Sequence, residues 1–111
     1  MAAKFVSSGF ASIYNIFYDA HTVIAIYGDT TSHWHVYDGS LCASNIMLAA
    51  HAQGLGACWI GFAESFMDRS DVKARYGVPE TYRQVGVLSL GFARGRLPEA
   101  ERNPPRVFWR G

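Results

Sequence analysis

The chain has 111 residues, a length that suits one domain, and half of them are hydrophobic while 17% are charged. A net charge of +1, with arginines scattered apart from a loose group at Arg94, Arg96, Arg102, Arg106 and Arg110, excludes the clustered basic face that nucleic-acid binding needs. Two cysteines, Cys42 and Cys58, make no disulfide framework, and no apolar run nears the roughly 20 residues of a membrane span. Both cysteines lie in apolar segments and read as small buried hydrophobes. With an N-terminus that lacks a continuous apolar stretch of signal-peptide type, this points to a reducing, cytoplasmic setting. The apolar surplus suggests surface buried against a partner chain, the alternative being an aromatic-rich core.

In chain order, residues 1–18 mix helix-like and other spacings of Phe5, Phe10, Ile13, Tyr14 and Phe17, broken by Ser7-Ser8-Gly9. Residues 22–27, β-branched and nearly all apolar, predict a strand covered on both faces and stopped by Gly28-Asp29. A polar and aromatic loop follows to Tyr37. Asp38 is the expected N-cap of a helix over 39–53, with Gly54 as its terminating residue. That helix is apolar almost all round, which predicts burial in the centre of the fold or against another subunit. A strand is expected over 57–62, a short helix over 68–76 with Asp68 or Ser70 as cap and Gly77 as stop, and a strand over 84–92. The tail from Ala93 is rich in arginine and proline and closes on Val107-Phe108-Trp109. Interspersed helices and strands place the class as α/β or α+β, with a tendency to three layers.

No self-contained catalytic constellation emerges. His33-x-His35 has metal-ligand spacing on a strand but no third ligand, so a solvated loop pair is the better reading. His51 reads as a hydrogen-bonded structural histidine, and Asn45 as a buried residue supporting the helix. Gly54-Leu55-Gly56 follows a helix and precedes a strand, the reverse of the dinucleotide fingerprint. Paired carboxylates are absent, with Glu64 and Asp68 expected on one surface turn. Such a sequence suits a protein whose hard chemistry belongs to a bound cofactor.

Trp34 and the run Asp38-Gly39-Ser40-Leu41-Cys42-Ala43-Ser44-Asn45-Ile46-Met47-Leu48-Ala49-Ala50-His51-Ala52-Gln53-Gly54-Leu55-Gly56-Ala57-Cys58-Trp59-Ile60-Gly61 resemble the FMN-dependent nitroreductase family. The shared pattern is an aspartate, a helix with an internal asparagine, an alanine pair, and a Gly-Leu-Gly turn into a Cys-Trp-Ile-Gly strand. Upstream, Phe17 to Ile24 resembles the family's strand opening, with His21 where proline is usual. Downstream, Tyr76-Gly77-Val78-Pro79, Leu90-Gly91-Phe92 and Arg106 in a proline-rich tail also fit. The family's N-terminal Arg-Ser-x-Arg motif has no counterpart, the first arginine being Arg69.

The resemblance implies an α+β, nitroreductase-like three-layer fold with a mixed central sheet and a buried central helix. The single domain over 1–111 is then incomplete at its N-terminus. It also implies a homodimer with FMN at the interface, NAD(P)H as hydride donor, and a small-molecule acceptor of nitroaromatic or quinone type reduced by a ping-pong cycle. The implied cofactor-binding residues are Trp59, Ile60, Gly61 and Phe62 along the isoalloxazine ring, with a backbone amide donating to flavin N5, and Arg106 at the phosphate. No catalytic side chain and no metal ligand is assigned. The alternative is a non-enzymatic dimerisation module or fragment that keeps the fold and has lost FMN.

Overall fold

The computed structural model describes residues 2–7, 20–96 and 98–111. The opening segment 1–18 and the match at Phe17–Asp19 therefore lie largely outside the described residues, except for a strand β1 at Ala2–Ser7 that its mixed spacing did not announce. Then follow β2 (Thr22–Asp29), helix α1 (His35–Ala52), β3 (Gly56–Trp59), a 3₁₀ turn (Gly61–Ala63), α2 (Glu64–Met67), α3 (Ser70–Arg75) and β4 (Tyr82–Gly91). The strands form one sheet in the order β1-β2-β4-β3.

Every described strand pairing is antiparallel, where a mixed sheet was expected. The reason lies in the connection. Strands β2 and β3, both antiparallel to β4, run parallel to each other, as the helical crossover through α1 requires. Strand β4 then fills the gap between them from the opposite direction, so no two parallel strands touch.

Strand β2 is the spine of the core. It is buried from Val23 to Tyr27, and alternation sends Val23, Ala25 and Tyr27 to one face and Ile24 and Ile26 to the other. The first face meets Ile60, Ala63, Met67, Val72 and Val78 from the turn and the short helices. The second meets Ala43 of α1, with Cys42, Ile46 and Met47 packed around it. This is a three-layer α+β arrangement. In β4, Val87 joins the first cluster and Leu88 the second, while Val85 packs with the second although alternation from Val87 predicts the first. A register shift explains it: Ile26 pairs with Gly86 and Tyr27 with Gln84, leaving Val85 unpaired in a bulge that turns it toward α1.

Helix α1 starts earlier than its sequence suggests. Asp38 is not the N-cap but lies in the first turn, its amide bonded to the Trp34 carbonyl at 2.9 Å. The chain is instead led into the helix by side chains upstream: Asp29 Oδ1 accepts from the Thr31 amide and hydroxyl, and Ser32 Oγ accepts from the Trp34 amide. Those donors hold the Asp29 carboxyl below the usual carboxylate range. Asp38 keeps a favourable place near the positive end of the helix dipole. At the other end Gly54 is at φ 74°, its amide bonded to the His51 carbonyl and that of Leu55 to the Ala50 carbonyl. This is the Schellman ending that the sequence predicts.

The helix expected over 68–76 is α3, at Ser70–Arg75, and a further short helix that the sequence did not announce, α2 at Glu64–Met67, precedes it across Asp68-Arg69. Asp68 Oδ1 accepts from the Gln84 amide and so ties this break to β4. Gly77, at φ 65°, ends α3 as predicted. Lys73 is buried, with Nζ donating to the carbonyls of Glu80 and Tyr82 and paired with the Glu80 carboxylate at 3.3 Å. No described helix is long and apolar enough to cross a membrane.

Candidate functional site

Strand β3 carries its side chains to the point where the predicted site begins. Its last residue, Trp59, pairs with Leu88, and the next amide, that of Ile60, donates to the Val87 carbonyl at 2.8 Å. There the ladder ends. The predicted strand does not continue to Phe62; residues 61–63 coil into the 3₁₀ turn, closed by the Ala63 amide on the Ile60 carbonyl. Inward pull decides this shape. Ile60 and Ala63 are both buried, at 2% and 0% exposure, and three-residue spacing brings them to the same side of a 3₁₀ turn. Gly61 and Phe62 are thereby turned outward, Phe62 being 81% exposed.

Of the four adjacent site residues, Ile60 has its amide committed to the sheet and its side chain in the core. The outward amides are those of Gly61 and Phe62, since the first amides of a helical turn lack acceptors within it. A Cβ built on Gly61 meets nothing within 4 Å, and its φ is not in the left-handed region. Among the described residues nothing demands glycine there. Trp59 lies against the sheet: a Cβ on Gly86 would fall 2.7 Å from its ring. Its indole Nε1 donates to Glu64 Oε1 at 3.4 Å. Glu64 and Gly86 were not singled out from the sequence. The available signal was Gly86 itself, because glycine inside a strand marks a close approach.

Arg106 stands apart from this turn. It lies in the exposed tail, and among the described residues no hydrogen bond or ion pair joins it to the other four. The surroundings of the cysteines, and of Asn45 and His51, also differ from expectation. Cys58 is exposed and Cys42 half-buried, and neither is sealed in the core as expected, because β3 is an edge strand and α1 is covered on one side only. Asn45 and His51 are exposed, Asn45 lining a groove with Asp38, Leu41, Cys42, Ile46 and Ala49. They sit on the side of α1 away from the sheet, which also leaves Leu41 and Leu48 about two-thirds exposed, at 65% and 67%. The helix expected to be buried is thus covered by the described residues on one side alone. Among the described residues no cluster of metal-ligating side chains occurs, and His33 and His35 fall at the entry of α1, with His35 Nδ1 at 2.8 Å from the Ser32 carbonyl oxygen.

A cleft of about 620 Å³ lies toward the other end of β3 and is lined by His21, Cys58, Ser89, Phe92 and Arg94 among others, but not by Gly61 or Phe62. The groove on α1 is about 520 Å³. The turn at Gly61 is convex and open, so it becomes a site only when a second surface closes over it. Volume alone therefore does not favour the larger cleft.

Residues 4–92 match the nitroreductase family. The chain belongs to that family. Two solved members align over most of its length. A nitroreductase with bound FMN from Bacteroides fragilis has a TM-score of 0.69 and 28% identity over 86% of this chain and 54% of its own. An NADH dehydrogenase/NAD(P)H nitroreductase, by its name, from Bacteroides thetaiotaomicron has a TM-score of 0.69 and 28% identity over 92% and 67%. A Methanothermobacter thermautotrophicus protein that bears the latter name is 38% identical over 58 residues, 51% of this chain and 30% of its own. The chain thus spans about half of the first of these structures and under a third of the Methanothermobacter protein. The nitroreductase fold and its α+β class are established by these likenesses together with the three-layer packing.

Proposed function

We propose that the chain is the flavin-facing part of an FMN-dependent NAD(P)H oxidoreductase that works as a homodimer with FMN at the subunit interface. The observation that carries this reading is the turn after β3. Gly61 and Phe62 present outward amides on a rigid support, and Gly61 has an open flank that no internal contact explains. Small size lets a flat ligand approach the backbone closely. The relatives' names, one with bound FMN and one for NAD(P)H nitroreductase activity, support the choice of cofactor and donor.

When bound, FMN supplies the two-electron chemistry, taking a hydride from NADH or NADPH and passing electrons to a nitroaromatic or quinone acceptor in a ping-pong cycle. The chain's own residues bind and orient. The Gly61 amide, the first beyond the sheet ladder, would be a donor to the flavin ring, in keeping with a backbone amide at N5. Ile60 anchors it through the Val87 carbonyl, and Trp59 and Phe62 supply aromatic surface beside it. Arg106 offers a planar fork of donors suited to a phosphate once the tail is seated.

A second reading has its own observation. With no arginine before Arg69, and Arg106 on an exposed tail, the phosphate has few partners within one chain. On that reading the chain is a dimerisation module that keeps the fold without the cofactor. An absorption spectrum of the purified protein mixed with FMN separates the two. Stoichiometric flavin that NADH bleaches under anaerobic conditions supports the oxidoreductase. Flavin that passes through a desalting column unbound leaves the module.

A further inference from the structure

We propose that Glu64, Trp59 and Gly86 form a latch that fixes the direction of the Gly61 and Phe62 amides, making Glu64 a positioning residue of the cofactor site. The proposal rests on the reading of this turn as the flavin-facing segment.

The turn is held from inside at two points, Ile60 and Ala63, both buried. Two inward anchors, with the bond from the Glu64 amide to the Gly61 carbonyl, fix where the turn sits, but no side chain holds the outward peptide between Gly61 and Phe62 against tilting about the line joining the anchors. Gly61 adds to that freedom, because it has no Cβ and no neighbour within 4 Å of where one would be. The bond from Trp59 Nε1 to Glu64 Oε1 spans this arc from the outside, linking the residue before the turn to the residue after it. It supplies the third point that tilting requires.

That bond is useful only if the indole itself is fixed. Gly86 does this. The ring lies over it, with a would-be Cβ 2.7 Å from Cζ2, 3.0 Å from Cη2 and 3.2 Å from Cε2. Absence of a side chain lets the ring rest on the strand, so its edge and the Nε1 hydrogen face Glu64. Strand β4 is central in the sheet, with Leu88 beside Trp59 fully buried. The latch therefore runs from the most rigid part of the fold to the outermost amides. Glu64 is also the first residue of α2, where a carboxylate is favoured by the helix dipole and held near the turn.

The test uses the full chain, with hydrogen exchange of individual amides in the absence of FMN and FMN affinity by fluorescence quenching. In Glu64→Ala the Ala63 amide, which closes the turn on the Ile60 carbonyl, exchanges roughly tenfold faster, while those of β2 are unchanged, and FMN binds several-fold more weakly. Trp59→Phe, which keeps the ring and loses the donor, does the same. Glu64→Gln restores both properties, because its amide oxygen still accepts from the indole; a merely structural or charge role would not be rescued in this way. Exchange of the Ala63 amide within twofold of wild type in both Glu64→Ala and Trp59→Phe overturns the latch. So does FMN affinity that is identical in wild type and Glu64→Ala. If exchange responds as expected and the wild-type chain binds no FMN, it is the flavin reading that fails, and the cofactor role of Glu64 with it.

Discussion

Tyr27 shows how one polar atom is accommodated in the densest part of this core. The side chain is 1% exposed, and its hydroxyl donates to the Met67 carbonyl at 2.6 Å. Met67 closes α2, and the carbonyls of a last turn have no acceptor role inside their own helix. One phenol thus satisfies a helix end from 40 residues away in sequence. Burial, then the nearby Asp68 carboxylate and Tyr76, push the Tyr27 hydroxyl up to about 12. Because this folded-state value lies above that of the unfolded chain, the neutral phenol stabilises the fold fully below about pH 10, and the contribution is lost as pH rises toward 12. Two units correspond to roughly 2–3 kcal/mol as an upper bound. Tyr27→Phe is expected to cost about 1 kcal/mol at pH 7, from the carbonyl left without its donor. It should also flatten the fall in stability between pH 10 and 12. Urea unfolding followed at pH 7, 10 and 11.5 in both proteins checks this, and equal alkaline slopes would refute it.

At the scale of elements, Gly54 is the point where sequence and structure agree most closely. Its φ of 74° is a conformation that L side chains rarely adopt, and no neighbour crowds it. Gly54→Ala should therefore cost about 1 kcal/mol through backbone strain alone, read as a lower midpoint in a thermal melt by circular dichroism, with α1 still formed. A midpoint unchanged within error would mean that the helix ends otherwise. The glycine stop, the β-branched run of β2 and the Gly77 stop were legible because each depends on local chemistry. The start of α1 was not. Its entry depends on Asp29 and Ser32 catching amides two residues on, which imitates no cap pattern at Asp38. The bulge at Val85 was hidden as well, since only pairing with β2 and contact with Gly39 reveal it. In the candidate site the adjacent residues Trp59 to Phe62 could be read from the resemblance, whereas the sharp turn among them follows from burial of Ile60 and Ala63. Glu64 and Gly86 were invisible because their roles exist only across space.

For the whole molecule, the distribution of size along α1 is the informative feature. The fully buried residues of the helix are small ones, Gly39, Ala43 and Ala50, with Ile46 and Met47 packed beside them, and a Cβ on Gly39 would fall 2.6 Å from Val85. The large apolar residues Tyr37, Leu41 and Leu48 face outward on one stripe, at i, i+4 and i+11, with Trp34 packed beside Tyr37 at 5.7 Å between ring centroids. This inverts the usual amphipathic order, in which bulk is buried and small or polar residues face water. Contiguous apolar surface of this kind is rare on soluble monomers beyond a few hundred Å². A second copy of the chain, presenting the same stripe about a two-fold axis, would cover it. The predicted mass in sedimentation is then twice the 12.3 kDa of one chain. In the double variant Leu41→Glu, Leu48→Glu, four carboxylates would meet across the two-fold interface, and the mass should fall to that of a single chain. Folding should hardly change, within about 0.5 kcal/mol, because both side chains are exposed in the single chain. If FMN lies at the interface, its uptake disappears together with the dimer. A wild-type chain that sediments as a monomer at tens of micromolar defeats the two-fold arrangement, and a monomeric double variant that still takes up FMN places the cofactor within one chain.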